Sequence, residues 1–559
     1  MSSKGKLPVK KAAPESLGKS FIEYTIGMVT SVYVFLMLVI FPLYMEDKYL
    51  NMGEAKYHFF KWVSLTFLCV LSVLFIIYLY ANAKEAKFTK MVTNASSTDI
   101  FATAFLIISF LSFMFSSNKA MAFEGYSGWY MGFTSQMIFV FAFFYISKFW
   151  KWSPHTIILA MFSAGIVYLI AVLQRFNFDI FKLYSNLNNE GILVRLDDKY
   201  IEKFVSTLGQ TTWYSSYAVL MLPFGMFWYY RDEKPVSRIL SAIFIILGAA
   251  SLCTVNSDSA YAAIGVIMMV FFWFAIENNK SFGRFLEIVI LFLATFRVVG
   301  ILQTLFPERM IVLLTGDEAM TNFVNHSVPM LALLIFVVLL YIVFRAVVSK
   351  STDDVTGKCS FDVSKFKFLR KIMLAAFIVI VWAVVLLIIL VSTHKIPAGN
   401  AISNVTFFNF DYAWGNCRGF NWRMAMRAYS NASLKDFLLG VGPDCFALSM
   451  NRYCYQEVFT FYEGLQLACA HNEWLNMLIT EGLFGLIAYA GIFITEFVRL
   501  GKIAHREPMA IPCMAAIAAY VAHNIFCYQQ CICTSVIFIV LGIGEMIIVH
   551  TKKEMAKEN

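Results

Sequence analysis

The stretch IMLAAFIVIVWAVVLLIILVST, residues 372–393, decides the fold class of this chain because it contains no charged residue. A helix of about 20 apolar residues is long enough to cross the roughly 30 Å of hydrocarbon in a bilayer. Such a helix also satisfies its own backbone hydrogen bonds where no water is available. The stretch therefore predicts a membrane-spanning helix.

Similar apolar windows recur along the whole chain, and we predict about fourteen spans in all. The composition agrees, because 59% of the residues are hydrophobic and only 14% are charged, against roughly 25% charged residues in a soluble domain. The predicted cores are 24–44, 59–81, 100–117, 131–148, 155–173, 212–230, 239–256, 260–277, 286–305, 327–347, 372–393, 475–498, 508–526 and 530–550. We expect an all-α fold, a single polytopic transmembrane helix bundle over residues 24–550.

Lys and Arg residues indicate the orientation of the bundle, because loops rich in them remain cytoplasmic. If the N-terminus is inside, these residues concentrate on the inner side, above all in residues 1–20 and 345–371. We therefore expect cytoplasmic tails at 1–23 and 551–559 and a location in the cell (cytoplasmic) membrane. Residues 394–474 then form a large extracytoplasmic loop that carries short amphipathic helices.

Charge and cysteine content exclude some function classes. The net charge of +9 follows from the topology, and no basic surface with interleaved aromatics suggests nucleic acid as a partner. The eleven cysteines form no Cys/His group with zinc spacing, so we expect no metal and no cofactor. Four cysteines in the large loop leave one or two disulfides open, and also none. They are Cys417, Cys445, Cys454 and Cys469.

The large loop contains a stretch that is typical of a short amphipathic helix, NWRMAMRAYS at 421–430. Helical spacing predicts an apolar face formed by Trp422, Ala425, Met426 and Tyr429. Arg423 and Arg427 share another face, and Arg418 precedes the helix. Such a helix would lie on the outer membrane surface, near a lipid-linked substrate. The alternative is an interfacial anchor whose Arg side chains contact lipid phosphate.

The loop ends in CAHNEWLNMLITEGLFGLIAY, residues 469–489, where a polar cluster directly precedes a predicted span. His471 lies at the predicted outer mouth of that span, and a neutral imidazole can accept a proton near pH 7. Asn472 is expected to cap the helix. Glu473 is expected to complement the helix dipole. His523 is a second, weaker candidate for a base.

These segments occur in an order that resembles the O-antigen ligase and O-antigen polymerase superfamily. The order is RGFNW at 418–422, FLLGVGPDCF at 437–446, and then HNEW followed by NMLITEGLFG. The earlier segment STLGQTTWYSSYAVLMLP, residues 206–223, is similar to the family's Gly-Asn-x-Asn segment. The family consists of membrane glycosyltransferases that act on lipid-linked glycans.

The chain departs from the family pattern in two places. Asp258, in NSDSAYAA, stands where the family commonly has an arginine, and Gln210 replaces an asparagine. The place of the missing arginine is open to Arg423, Arg427 or Arg297.

The resemblance implies a metal-independent transferase that takes a glycan from a polyprenyl diphosphate at the outer membrane face. A guanidinium binds phosphate oxygens bidentately, which suits a diphosphate leaving group. His471 is then the catalytic base. The implied partners are the donor, a glycan or other cell-surface acceptor, and membrane lipids. The implied substrate-binding residues are Arg418, Arg423, Arg427, Arg297 and Asn472.

Other functions stay open at this point. A transporter or flippase of the polysaccharide pathway would also have many helices, but polar residues and broken helices at the midplane are sparse in this chain. A non-catalytic assembly or sensor protein would use the large loop as a binding surface. Within the enzyme interpretation, the sequence does not separate a polymerase, which we slightly prefer, from a ligase.

Overall fold

A computed structural model describes residues 14–82, 95–187, 193–196, 198–310, 319–353, 358–397 and 399–558. The structure is 77% helical with almost no strand, which confirms the all-α fold class. The strands of the described residues form two short antiparallel pairs. They are β1 Ser185–Leu187 with β2 Leu193–Arg195, and β3 Phe204–Val205 with β4 Gly209–Gln210.

The helices of the N-terminal half are α1 Pro14–Phe35, α2 Met52–Asn82, α3 Ser97–Phe115, α4 Lys119–Glu124, α5 Phe133–Phe149, α6 Pro154–Arg175, α7 Asp198–Lys203, α8 Thr211–Arg231, α9 Pro235–Val255, α10 Asp258–Ala275 and α11 Asn279–Leu305. Those of the C-terminal half are α12 Ala319–His326, α13 Val328–Lys350, α14 Leu369–Ser392, α15 Trp414–Ser430, α16 Leu434–Leu439, α17 Phe446–Tyr453, α18 Tyr455–Phe461, α19 Glu473–Thr480, α20 Gly482–Ile503, α21 Ala510–His523 and α22 Cys531–Glu558. Shorter turns of helix lie at Leu36–Ile40, Phe41–Leu43, Pro307–Arg309, Val363–Phe366 and Thr406–Phe408.

Local sequence signals begin several of these helices. Ser96 and Asp99 form a capping box at the start of α3, which satisfies backbone N–H groups that lack a partner within the helix. Asn278 caps α11, because its side chain accepts a hydrogen bond from the backbone N–H of Ser281. Proline occupies the first turn of α6 and α9, where its missing N–H costs nothing.

Among the described residues, eleven helices are long and apolar enough to cross a membrane. They are Phe21–Leu43, Met52–Ala81, Ser97–Phe115, Pro154–Arg175, Pro235–Val255, Asp258–Ala275, Asn279–Leu305, Val328–Lys350, Val363–Ser392, Gly482–Ile503 and Cys531–Glu558. The chain is therefore a multi-pass membrane protein. The other three predicted windows, 131–148, 212–230 and 508–526, fall on α5, α8 and α21. The larger count of about fourteen spans stays a prediction.

The prediction of one span over residues 475–498 was wrong in one respect, because the helix is interrupted within this window. Helix α19 ends at Thr480, and α20 begins at Gly482. Gly482 has a φ of +71°, and a Cβ there would lie 2.4 Å from the carbonyl carbon of Leu438. Glycine adopts this left-handed conformation without steric cost. The break therefore lets the backbone of α16 approach the start of the span.

Helix α22 forms the centre of the bundle. In its most apolar window 89% of the residues are buried, against 6% in the window within Val363–Ser392. Gly542 brings α22 close to α5, since a Cβ there would lie 2.8 Å from Cβ of Ile146. A helix that is apolar all round and exposed, as α14 is, faces lipid. The bundle is thus centred on α22, with α14 at its periphery.

Residues 399–472 fold into short helices over one end of the bundle. Helices α15, α17 and α19 share an apolar cluster that includes Phe420, Phe446 and Ile479. The predicted apolar face of α15 was right for Ala425, which is buried, and for Tyr429, which packs against this cluster, but wrong for Met426. The buried side chains of the predicted stretch are Asn421, Met424, Ala425 and Ala428, and Met426 is 49% exposed. The helix turns these buried side chains inward because it packs against the other short helices. The residue spacing alone did not indicate this packing.

The predicted tails are partly helical. Helix α1 begins at Pro14, within the predicted tail 1–23, and α22 continues to Glu558. Residues 1–13 and 559 of the predicted tails lie outside the described residues. All four cysteines of the large loop are free thiols. Of the predicted alternatives, two disulfides, one or none, the structure therefore shows none in this loop.

Candidate functional site

The candidate site lies at the end of the bundle that the short helices cover. Helices α8, α10 and α22 begin at this end, and α21 ends there. Arg418 and His471 both contact the segment between α21 and α22: Arg418 donates to the carbonyl oxygen of Phe526, and the ring of His471 packs against Tyr528. The two residues therefore lie at the same end of the bundle, although about fifty residues separate them in sequence.

The side chain of Arg418 is held by main-chain carbonyl groups. Its Nε and Nη2 donate to the carbonyl oxygen of Phe526 at 3.2 and 2.9 Å, and its Nη1 donates to that of Gly415 at 2.6 Å. A guanidinium has five N–H donors, so two are left for another partner. No carboxylate of the described residues forms an ion pair with Arg418, and its positive charge is not neutralised by contact.

The backbone before Arg418 is strained. Gly415, Asn416 and Cys417 have φ values of +59°, +59° and +67°, in the left-handed region that non-glycine residues rarely occupy. Glycine adopts this conformation without steric cost, but at Asn416 and Cys417 it costs on the order of 1–3 kcal/mol per residue, and such strain clusters at functional sites. Here it directs the carbonyl group of Gly415 and the start of α15 toward the guanidinium of Arg418.

Burial lowers the pKa of Arg418 from its ordinary value, while the negative charge of Asp258 opposes this shift. Asp258 is the first residue of α10 and is exposed. The residue that departs from the family pattern is thus close enough to Arg418 to interact with its charge. The two charges interact at a distance and form no ion pair.

His471 is half-buried and also has a left-handed backbone, with a φ of +51°. Its ring packs edge-on against Tyr528, with 5.2 Å between ring centroids. Neither ring nitrogen has a hydrogen-bond partner in the described part of the chain. Burial, and then the charge of Arg418, lower the pKa of His471 to about 4. The imidazole is therefore neutral at pH 7 and able to accept a proton.

Tyr528 connects His471 to the segment at 206–223. Its hydroxyl donates to Oε1 of Gln210 at 2.9 Å and accepts from Nε1 of Trp213 at 3.0 Å. The ring of Trp129 packs edge-on against Tyr528 at 4.3 Å. The sequence analysis missed Tyr528, although it lies in the same polar stretch, HNIFCYQQ, that drew attention to His523.

Asn472 caps α19 as predicted, because its side chain accepts from the N–H of Leu475 at 3.0 Å. The interpretation of Glu473 as a residue that merely complements the helix dipole was incomplete. Glu473 is fully buried and accepts hydrogen bonds from Tyr489, Tyr520 and Asn524. Burial raises the pKa of Glu473 to about 7. Its partners lie on α20 and at the C-terminal end of α21, and no local pattern indicates them.

His523 is fully buried beside this network. Its Nε2 lies 3.0 Å from the hydroxyl oxygens of Ser215 and Ser259, and its Nδ1 lies 3.2 Å from Oδ1 of Asn524. Both nitrogens are thus already bonded to protein groups. His471, whose ring nitrogens are unbonded, is the better placed of the two candidate bases.

The other predicted arginines have partners elsewhere. Arg297 donates to the carbonyl oxygens of Asn325 and His326 at the end of α12, at 3.2 and 2.9 Å. Arg427 pairs with Glu457 at 2.6 Å, and Arg423 donates to the carbonyl oxygen of Phe410. No contact among the described residues joins these three to Arg418 or His471. Their predicted role in substrate binding stays untested.

The turn at 440–443 folds the loop back onto the break between α19 and α20. The N–H groups of Val441 and Gly442 donate to the carbonyl oxygens of Ile479 and Thr480, at 3.2 and 2.9 Å. Gly440 and Gly442 have φ values of +74° and +124°, which glycine alone adopts freely. This docking brings the two ends of the loop to the same part of the bundle.

No family model and no curated protein matches this chain. The resemblance to the O-antigen ligase and polymerase superfamily rests on the order of its motifs. In the described residues no group of three or more His, Cys, Asp or Glu side chains is arranged to hold a metal ion. The expectation of metal-independent chemistry stays a prediction.

Proposed function

We propose that the protein is a membrane glycosyltransferase that transfers or polymerises a glycan from a polyprenyl-diphosphate donor, as an O-antigen polymerase or ligase does. The observation that carries the proposal is Arg418, which is held by two carbonyl groups and forms no ion pair with any described residue. Its two remaining donors and its uncompensated charge suit a phosphate oxygen. The motif order of the sequence supports the same class.

In the proposed reaction an acceptor hydroxyl oxygen attacks the anomeric carbon of the donor sugar. The new C–O bond forms as the bond from that carbon to the diphosphate oxygen breaks, and the lipid diphosphate leaves with the electron pair. A nitrogen of the His471 ring takes the proton of the acceptor. Arg418 stabilises the negative charge that develops on the leaving oxygen, and it does so more strongly in a partly dry site than in water.

The proposal includes a topology. We infer that all fourteen windows span the cell membrane, that both termini are cytoplasmic, and that residues 394–474 lie outside with the site. A soluble acceptor and a lipid-borne donor would then meet at the outer membrane surface. Labelling of Lys358→Cys from the inside only is the expected result, and labelling from the outside contradicts this orientation.

The proposal is tested with the purified full-length protein in nanodiscs, supplied with a glycan on a polyprenyl diphosphate and a glycan acceptor. New glycosidic bonds and released lipid diphosphate are the expected products. The same donor in liposomes tests the transporter, because movement of the lipid across the bilayer without new bonds contradicts the enzyme. Transfer that stops in chelator and returns with a divalent ion contradicts its metal-independent part.

A further inference from the structure

The loop between α4 and α5 is short, rich in aromatic residues and closed at its base. Its sequence is GYSGWYMG, residues 125–132. A Cβ on Gly132 would lie 2.5 Å from the backbone nitrogen of Gly125, so the two ends of the loop touch. Within it, the N–H groups of Trp129 and Tyr130 donate to the carbonyl oxygen of Tyr126, at 3.0 and 2.9 Å.

Asp444 fixes this loop to the turn at 440–443. Its Oδ2 accepts from the N–H groups of Tyr126 and Met131, at 2.7 and 2.9 Å. Asp444 directly follows the turn that brings the ends of the large loop together. The same carboxylate therefore holds the aromatic loop beside the candidate site.

The aromatic side chains of the loop face the protein. The half-buried Trp129 packs against Tyr528, which is 3% exposed and contacts His471. Tyr130 stacks on the buried ring of Tyr57 at 4.3 Å. Aromatic residues that anchor a protein in the membrane interface lie among lipid head groups. Trp129 instead contacts Tyr528, and Tyr528 contacts the ring that we propose accepts the proton.

Polar side chains line the edge of the loop. The hydroxyl of Tyr126 donates to Oε1 of Gln466 at 3.4 Å, and that of Tyr130 donates to Oε1 of Glu54 at 3.3 Å. A sugar ring has an apolar C–H face and a rim of hydroxyl groups. The half-buried ring of Trp129 matches the C–H face, and the amide of Gln466 and the carboxylate of Glu54, which contact the neighbouring Tyr126 and Tyr130, match the hydroxyl groups. The loop thus offers the contacts that a saccharide requires and a lipid tail does not.

We propose that the loop 125–132 forms a binding subsite for a sugar ring of the glycan, with Trp129 as its aromatic platform and Asp444 as its anchor. The proposal deepens the proposed glycosyltransferase function and rests on it for the nature of the ligand. Because the loop is closed and fixed at both ends, little ordering is required when a sugar binds.

Binding is measured in nanodiscs with full-length protein that carries His471→Ala, so that no turnover intervenes. The probe is a lipid-free oligosaccharide released from the surface polysaccharide of the source cell. Trp129→Ala should weaken binding by about 3- to 10-fold, the range expected for one aromatic contact, and Trp129→Phe should recover part of it. Trp152→Ala, a partly exposed tryptophan between α5 and α6, should bind as the parent does.

Asp444 provides a second pair of variants. Asn keeps an oxygen that accepts both N–H groups, so Asp444→Asn should retain binding. Asp444→Ala should weaken it, because the loop loses its anchor. In active protein, Trp129→Ala should raise KM for the acceptor and leave kcat unchanged, which a merely structural role would not do.

The outcomes separate this proposal from the proposed function. Transfer by the parent together with unchanged binding and KM in Trp129→Ala overturns the subsite and leaves the enzyme intact. Absence of transfer together with weakened binding in Trp129→Ala supports a saccharide subsite in a protein of another function. A parent that binds no oligosaccharide overturns the subsite.

Discussion

Two arginines of this bundle are held in opposite ways. Arg499, on α20, donates to both carboxylate oxygens of the fully buried Glu545, one of them at 3.0 Å, and to the hydroxyl of Thr98 at 2.9 Å. Arg418 lies at the end of the bundle that the short helices cover. It donates only to main-chain carbonyl oxygens. The first charge is neutralised within the protein, and the second is not.

We interpret the charge of Arg499 as structural and propose that the charge of Arg418 serves ligand binding. A buried charge that meets an opposite charge with good geometry stabilises the fold only modestly, but removing one partner is costly. A charge held by neutral carbonyl groups stays positive and attracts an anion. The charge of Lys148 is neutralised in the same way as that of Arg499, because Lys148 donates to both carboxylate oxygens of Asp99, at 2.9 and 2.7 Å. Arg418 has no carboxylate partner of this kind among the described residues, and we propose that it binds an anionic ligand.

The largest effect is expected at His471, beside the uncompensated arginine. His471→Ala removes the proposed base and should lower the transfer rate by a factor on the order of 10² to 10⁴. Donor binding should survive, since Arg418 is untouched. Turnover and donor affinity are measured on the same preparation. His155→Ala, an exposed histidine at the start of α6, is the control, and normal turnover in His471→Ala contradicts the assigned base.

The next effect concerns stability and distinguishes the two arginines. Arg499→Ala leaves the buried carboxylate of Glu545 without its partner and should cost about 3–5 kcal/mol. Arg418→Ala leaves only carbonyl groups unpaired and should cost about 1–2 kcal/mol. Unfolding of each variant in mixed micelles gives both values. Equal losses, or a larger loss in Arg418→Ala, would remove the distinction on which the functional assignment rests.

A smaller effect concerns pH. Burial and the charge of Arg418 hold the pKa of His471 at about 4, below the ordinary value of about 6.5. The acid limb of the transfer rate should therefore fall near pH 4. Replacing Arg418 by Gln removes one cause, and the His471 titration followed by NMR should move upward. An acid limb near pH 6.5 in the parent contradicts the environment described for this ring.

The same shift affects stability with a definite sign. Between about pH 4 and 6.5 the unfolded chain binds a proton at His471 that the folded protein does not. Stability should therefore decrease as the pH falls through this window. His471→Ala should reduce that decrease.

The sequence predicted the fold class because each apolar window carries its own signal, independent of the others. It also predicted the cap at Asn472, which depends on a residue and the turn that follows it. It did not predict the break at Gly482, because α16, which packs there, lies more than forty residues away. The buried face of α15 was predicted only in part for the same reason, since it depends on helices that follow it.

The sequence singled out part of the candidate site. Arg418 and His471 were proposed from motif order, and both contact the segment Phe526–Tyr528, while their roles stay predictions. Glu473 was assigned a helix-end role because its neighbours in sequence suggest nothing more. Its actual partners, Tyr489 and Tyr520, lie within apolar helices where a single tyrosine is not distinctive. Networks of this kind become visible only when the packing of the helices is known.

The central claim is that Arg418 forms an anion site, and the affinity of the protein for polyprenyl diphosphate without a glycan tests it most directly. We expect Arg418→Ala to lose most of this affinity and Arg418→Lys to recover part of it, because an ammonium group lacks the planar fork of a guanidinium. Asp258→Asn, which removes the nearby negative charge, should strengthen binding by about 3- to 10-fold. Unchanged affinity in a folded Arg418→Ala variant would contradict the account.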